Sequence, residues 1–399
     1  MVSSSFSMGY TIIGVGVTKR IIITNGLALF AMFFGAGNII YPLALGAQGG
    51  DHILYVTLAF LVSGIGLPFL GLFATSLYNG DYWSFFSRLG KVPAFLLIAF
   101  LILFIGPLCA TPRTETIAFQ TLQPFLPSGL SSPYVFSALY CLAIFCLTYR
   151  HTKIVDLIGY FLSPIKLVLF AVLIVAGLLT TQDIFANKNT IMESVQLGLV
   201  NGYSTMDLLA AFFFCAVVYK SILAKAKSIG ITDQKETIKI FLYSCLIGAA
   251  LLAVVYVGFM LLAYSHATQL QGVDTAQMIV VISKIVLGKS GAFFVGVCVS
   301  FACLVTAIAL TEVTTGFFHE HVFMKKVPRL ACLLTTIVLI YAMSILGFSE
   351  IMRFSLPILE VLYPVLIVYC VVNITIKLVS DRKSAQIKVL PSVSAETAQ

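Results

Sequence analysis

Apolar residues run in stretches of about 20, the length that crosses a bilayer as a helix, and short polar segments separate them. The stretches are Ile22 to Gly46; His52 to Leu77; Pro93 to Ala110, extensible to Phe119; Pro133 to Tyr149; Ile154 to Leu179; Val195 to Ile222; Ile238 to Tyr264; Ala292 to Phe318; Leu330 to Leu346; and Ile351 to Leu378. They predict an all-α integral membrane protein of about ten transmembrane helices. Two stretches carry a polar, glycine-containing interruption. The first holds Gly35-Ala36-Gly37-Asn38 and then Pro42, and the sixth holds Asn201-Gly202-Tyr203-Ser204-Thr205-Met206-Asp207. Lipid cannot hydrogen-bond a freed peptide group, so a membrane helix breaks only where protein or a wet cavity takes over. Helices 1 and 6 are therefore expected to be broken. They open the two halves of a 5+5 arrangement. An odd number of spans per half turns a duplicated half upside down, and inverted repeats place their site where the corresponding broken helices meet. The halves share no visible identity, so the repeat rests on span order. The expected organisation is 1–21 as a cytoplasmic N-terminal segment, 22–179 and 195–378 as the two repeats, and 379–399 as a cytoplasmic tail, disordered from about Ser392.

Composition narrows the class. Of 399 residues 60% are hydrophobic and 10% charged, and mean hydropathy is +1.04. A soluble chain could not cover so much apolar surface. No Pro/Ser-rich linker divides the chain, which argues for one bundle. The net charge of +8 needs no nucleic-acid partner, because it gathers in loops on one side. With the N-terminus inside, 18 of the 24 lysines and arginines fall in inside segments. Only Arg113, Lys188, Lys284, Lys289 and Arg353 fall outside, and Lys166 lies within the fifth span. That bias is the one expected of cytoplasmic loops. The longer loops, Thr111 to Ser132, Thr180 to Ser194 and Ser265 to Gly291, are expected outside. In the last, Ala276 to Leu287 is either a surface helix or hairpin over a cavity mouth or a plain connector. Lys19 and Arg20 follow a weakly apolar start, which argues against a cleaved signal. The nine cysteines form no CxxC pair and read as small buried hydrophobes, with no metal site beyond a coupling ion.

Candidate chemistry centres on the interruptions. Asp207 is an acid at mid-span, where charge costs about 2.5–3.5 kcal/mol on insertion scales. It reads as a cap of the second half-helix or as a member of a polar network in the site. The N-terminus of a half-helix after Gly35-Ala36-Gly37 offers bare N–H groups to a carboxylate, and the end of the preceding half offers carbonyls to a monovalent cation. An amino-acid zwitterion suits that place; a close helix crossing is the alternative use of the glycines. Thr306 either offers its hydroxyl to sodium or bonds back to its own helix. Glu312 is expected near water, Glu360 and Lys166 can form a pair, and His319 and His321 read as interfacial. The sequence contains no GxxxxGK[ST], TVGYG, HExxH or paired DDxxD. Uphill transport would then draw on an ion gradient.

Phe30-Ala31-Met32-Phe33-Phe34-Gly35-Ala36-Gly37-Asn38-Ile39-Ile40-Tyr41-Pro42 resembles the first-span signature of the branched-chain amino acid:cation symporters, the bacterial leucine/isoleucine/valine carriers. Gly106-Pro107-Leu108-Cys109-Ala110-Thr111-Pro112-Arg113-Thr114, Val200 to Asp207, and Ala302-Cys303-Leu304-Val305-Thr306-Ala307 are similar to three further blocks, in order along the chain. The resemblance implies the leucine-transporter fold and a sodium-coupled importer of leucine, isoleucine and valine in the bacterial inner membrane, with both termini cytoplasmic. It implies no enzyme and no organic cofactor, only Na+ as coupling ion. Carried over residue by residue, it sets sodium between the Ala31 and Phe34 carbonyls and Ala302 and Thr306, with Val305 standing where many relatives of the fold have a hydroxyl. It sets the substrate carboxylate on the backbone of Phe33 to Gly37 (Phe33, Gly35, Ala36, Gly37) and the amine near Tyr203, Ser204 and Thr205. Asn38 and Thr205 would lie near any second cation site. Relatives usually carry two more helices after the tenth span, whereas this sequence ends soon after Leu378, and the oligomeric state stays open. Two other readings fit the residues: a proton-coupled carrier of another small neutral amino acid, kept open by Asp207 and Glu312, and a sensor that binds an amino acid without moving it.

Overall fold

The computed structural model describes residues 3–149, 153–180 and 189–389, and among them no strand is present. The first span is α1 (Ser3–Phe33) with α2 (Gly37–Gln48). The second and third are α3 (Gly50–Ser76) and α4 (Lys91–Phe125). Then come α5 (Pro133–Tyr149) and α6 (Lys153–Leu179), and the sixth span is α7 (Ile191–Ser204) with α8 (Asp207–Ser228). The last four are α9 (Gln234–Tyr264), α10 (Met278–Phe317), α11 (Arg329–Ser344) and α12 (Phe348–Val389). Among the described residues six helices are each long and apolar enough to cross a bilayer, α1 with α2 makes a seventh as a pair bent by 69°, and α5, α11 and the Ile165–Leu179 part of α6 are shorter apolar helices. Local chemistry sets the starts. Thr190 and Glu193 close a capping box ahead of α7, and Asp233 caps α9.

The outer face stays apolar: Leu54, Val254 and Val365 are 63%, 71% and 59% exposed. A soluble protein would have to cover such a surface; here it is the face that lipid wets. The interior is aromatic, with Phe33, Phe60, Phe85, Phe212, Tyr256 and Tyr363 buried. The packing splits into two groups of spans. Both halves of span 1 pack on α9, and α7 and α8 pack on α3. The second half of α4 packs on α10, with α5 and α11 beside them. Advancing each span number by five turns the 1–7 pairing into the 6–2 pairing and leaves the 3–8 pairing unchanged. The interior thus repeats itself although the sequence does not.

Several expectations need correction. The helix of span 1 begins at Ser3, inside the segment expected to precede it. Span 3 takes the longer of its expected ends and passes it: it kinks at Gly106 (φ −82°, ψ −114°) and continues beyond Phe119 to Phe125, so about two thirds of the loop expected from Thr111 to Ser132 is helix. Arg113, assigned outside, is 3% exposed in the interior. The Ser265 to Gly291 loop holds a short helix (Ala267–Leu270) and the start of α10, which turns at Gly288 (φ 72°). The tenth span ends at Ser380, close to the expected Leu378, and its helix runs on to Val389 into the segment expected as a tail. Residues 181–188 of one expected outer loop, and the tail from Ser392, lie outside the described residues.

Candidate functional site

Both interrupted spans break, and the breaks face one another. In span 1 the N–H of Gly35 turns to the Phe33 carbonyl at 2.7 Å, out of helical register, and the chain restarts as α2 at Gly37. The Ile39 and Ile40 N–H groups return to the Ala36 carbonyl (3.2 Å each). Among the described residues the N–H groups of Gly37 and Asn38 find no acceptor; these are the bare donors of a helix N-terminus. Pro42 sits within α2 and has no N–H, so the Asn38 carbonyl lacks its helical donor. In span 6 the break is narrower and later than expected. Asn201 to Ser204 are still helical, and the chain turns at Thr205 and Met206, whose φ of 64° is left-handed. Such a conformation costs a residue with a Cβ about 1–2 kcal/mol. Gly202 is not the point of unwinding. A Cβ there would fall 1.8 Å from Ser63 Oγ and 2.8 Å from the Gly64 N, so this glycine lets α7 lie on α3.

Side chains knit the breaks together. Asn38 donates to Asp207 Oδ2 at 2.5 Å and also meets the Tyr256 hydroxyl. Asp207 is 6% exposed. It is the first residue of α8 and makes no cap; its own N–H donates to Thr205 Oγ1 at 3.3 Å. Of the two roles expected for it, the structure has the network one. Arg113, from the second half of α4, donates to the carbonyls of Ser204 (2.5 Å) and Thr205 (3.2 Å) and to the Tyr41 hydroxyl (3.2 Å). Its guanidinium also approaches the Tyr41 ring, 5.7 Å from the centroid. Thr306 bonds back to the Ala302 carbonyl at 3.2 Å, yet its Oγ1 lies 3.3 Å from where a Cβ on Gly35 would stand. The hydroxyl therefore faces the first break.

A cavity of about 40 Å³ lies where these groups converge, room for a few waters. Of the residues named from the sequence, Phe33, Gly35, Ala36, Gly37, Asn38, Thr205, Asp207 and Thr306 line it. Ala31, Phe34, Ala302, Tyr203 and Ser204 do not. Phe34 stacks on Phe30, Tyr203 packs on Tyr363 with centroids 4.6 Å apart, and the Ser204 carbonyl is taken by Arg113. Ile105, Ala210, Phe214 and Leu310 supply apolar walls.

The expected pair of Lys166 and Glu360 does not form. Glu360 is exposed on α12, whereas Lys166 is buried on α6 with its ammonium 5.6 Å from the Phe34 ring centroid. Glu312 pairs instead with Arg329 at the end of span 8. His321 stacks on Trp83 (4.6 Å). Sequence reasoning missed Arg113, Tyr41 and Tyr256. Arg113 carried a signal: an arginine between Thr-Pro and Thr-Glu-Thr, directly before the apolar Ile117-Ala118-Phe119, reads as a polar face of a continuing span once the Gly106-Pro107 pair is taken as a kink. The tyrosines carried none, because a hydroxyl at the end of a buried ring leaves no mark in hydropathy.

The chain matches the model of a family described as branched-chain amino acid transport protein over residues 18–396. It is 30% identical over 361 residues to the branched-chain amino acid permease BrnQ of Salmonella typhimurium, covering 90% of this chain and 81% of that one. It is 30% identical over 362 residues to BrnQ of Bacillus subtilis, covering 88% and 80%. Among solved structures it is similar to the inward-facing conformation of Mhp1 (TM-score 0.63, 12% identity, 86% and 73% covered). It is also similar to MhsT in complex with L-phenylalanine (TM-score 0.52, 18% identity, 80% and 78% covered). At such identities the likeness concerns the fold, the leucine-transporter fold expected above.

Proposed function

Because the chain belongs to the branched-chain amino acid transport protein family, a family of permeases and not of enzymes, we propose that it imports leucine, isoleucine and valine together with sodium by alternating access across the bacterial cytoplasmic membrane, termini inside. One observation carries the reading: two broken helices meet at one buried cavity, where α2 starts with the unbonded N–H groups of Gly37 and Asn38 and α7 ends in carbonyls held by Arg113. The α2 N-terminus takes the carboxylate. The amine goes to the carbonyls at the end of α7. The side chain lies against Ile105, Ala210, Phe214 and Leu310, and such walls distinguish one methylene by only about 1–3 kcal/mol, so the three amino acids compete. A cavity of about 40 Å³ is far below what encloses a whole ligand. The cycle therefore includes wider states in which the walls part toward one side.

Sodium is placed beside the first break, between its carbonyls and Thr306, whose hydroxyl faces Gly35. One charge moving inward gains about 2.3 kcal/mol per 100 mV; at about 1.4 kcal/mol per tenfold this supports roughly a 40-fold amino-acid gradient. A second reading has its own observation. Lys166 brings a buried ammonium to the Phe34 ring, at the residue whose carbonyl is assigned to sodium. A lysine there can stand in for the metal ion, and its proton can be the coupled one. Leucine uptake into proteoliposomes at fixed pH, with sodium replaced by choline, separates the two. Sodium coupling predicts loss of accumulation; undiminished accumulation that collapses with the pH gradient favours Lys166 and protons. Absence of counterflow of labelled leucine would make the protein a binder and end both.

A further inference from the structure

Arg113 is the least expected charge in the molecule. It stands mid-span, 3% exposed, where an arginine costs about 2.5–3.5 kcal/mol on insertion scales. Among the described residues no carboxylate forms an ion pair with it. Its fork is spent on two backbone carbonyls, those of Ser204 and Thr205, at the end of α7. Its Nε is buried with no partner among the described residues. The same Nη2 that donates to the Thr205 carbonyl lies 3.1 Å from where a Cβ on Gly37 would stand, so the guanidinium also rests against the N-terminus of α2. That terminus carries partial positive charge and the unbonded N–H groups of Gly37 and Asn38. A cation and a positive helix end therefore meet on one small cavity. The Asp207 carboxylate lines the same cavity but is held by Asn38, and among the described residues no hydrogen bond or ion pair joins it to Arg113; a substrate carboxylate would pair with both the guanidinium and the helix end.

We infer that Arg113 is a substrate-recognition residue: it holds the Ser204 and Thr205 carbonyls that the ammonium of an incoming amino acid needs, yields them to that ammonium, and pairs with the carboxylate at the α2 N-terminus. The inference rests on the amino-acid reading above and deepens it. Neither half of a zwitterion suffices for the exchange. An amine alone would displace a guanidinium that has nowhere to go, and a carboxylate alone would leave two buried carbonyls without donors. Gly37 belongs to the device, because a side chain there would push the guanidinium away from the helix end.

The test is competition against labelled leucine on purified protein in lipid nanodiscs, with leucine, leucine methyl ester, 3-methylbutylamine and 4-methylpentanoate. On the wild type, leucine should outcompete each of the other three by about 100-fold or more, as expected when a buried charge pair loses one partner. Arg113→Gln should weaken leucine by about tenfold or more while leaving 3-methylbutylamine as good or better, since the carbonyls are then free. Arg113→Lys, which keeps the charge but not the fork, should fall between. Wild-type binding of leucine and its methyl ester with equal affinity overturns the inference, and does so even if the variants fail to fold. So does Arg113→Gln that keeps wild-type leucine affinity, or that loses leucine and amine alike at an unchanged melting temperature. A wild type that binds none of the three branched amino acids overturns the functional reading itself, and this inference with it.

Discussion

Asp207 and Asn38 come from different halves of the chain and meet across the two breaks at 2.5 Å. A carboxylate held by an amide, a tyrosine and a nearby guanidinium is tuned by charge, and an amide in its place keeps the shape but not the charge. Asp207→Asn should therefore reach the membrane at near wild-type levels and lose about tenfold or more of its uptake rate, a difference of about 1.4 kcal/mol. Uptake normalised to inserted protein checks this, and wild-type kinetics would remove the residue from the site. Thr306 poses a sharper question, because its hydroxyl both bonds to Ala302 and faces Gly35. If it also ligates sodium, Thr306→Ala should raise the sodium concentration for half-maximal uptake about fivefold or more, near 1 kcal/mol, with the maximal rate nearly unchanged. An unaltered sodium dependence makes the hydroxyl purely structural. Both residues were legible in the sequence, since a polar group in an apolar span is conspicuous. Arg113 was misassigned to a loop, because the small polar residues around it imitate one and outweigh the signal of the apolar residues that follow.

At the scale of the element, the two interruptions differ in kind although they read alike. In span 1 the glycines lie at the break itself. In span 6 the break falls at Thr205 and Met206, and Gly202 serves the crossing of α7 over α3. Gly202→Ala should separate these helices and destabilise the protein by about 1–3 kcal/mol, the usual cost of overpacking. Adding Ser63→Ala removes the worst contact at 1.8 Å but leaves the residue-63 Cβ at 2.7 Å and the Gly64 N at 2.8 Å, so the double variant should recover only part of the loss. Thermal unfolding of the three variants in one lipid measures it; full recovery would mean that the two remaining contacts are soft. The length of span 3 was misread for a related reason. A kink at Gly106-Pro107 followed by polar residues has the composition of a helix end, so the sequence left the end open between Ala110 and Phe119, and packing of the continuation against α10 decides it.

For the whole molecule, the packing sorts the broken spans with their partners α3 and α9, and sets α4, α5, α10 and α11 apart. If these two groups move as bodies during alternating access, a cross-link within one group is harmless and a cross-link between them is not. A Cβ on Gly71 would stand 3.5 Å from the Ala211 Cβ, within the range of a disulfide. Gly71→Cys with Ala211→Cys, on a background with the nine native cysteines replaced, should keep most of its uptake when oxidised. Gly35→Cys with Thr306→Cys joins the groups, so oxidation should cut any uptake the reduced pair retains by about tenfold or more, and reduction should restore it. Equal sensitivity of both pairs would exclude motion of the groups as bodies.

By itself the sequence determined that the chain lives in lipid, the order of its spans, and that spans 1 and 6 break. Those properties follow from hydropathy and from the local chemistry of glycine, asparagine and proline, which act over one or two turns. The tertiary structure decided which groups meet at the breaks. Arg113 reaches carbonyls 91 and 92 residues away, and Asn38 reaches Tyr256 across 218. Such contacts depend on how packed helices are juxtaposed, and no local pattern along the chain encodes that.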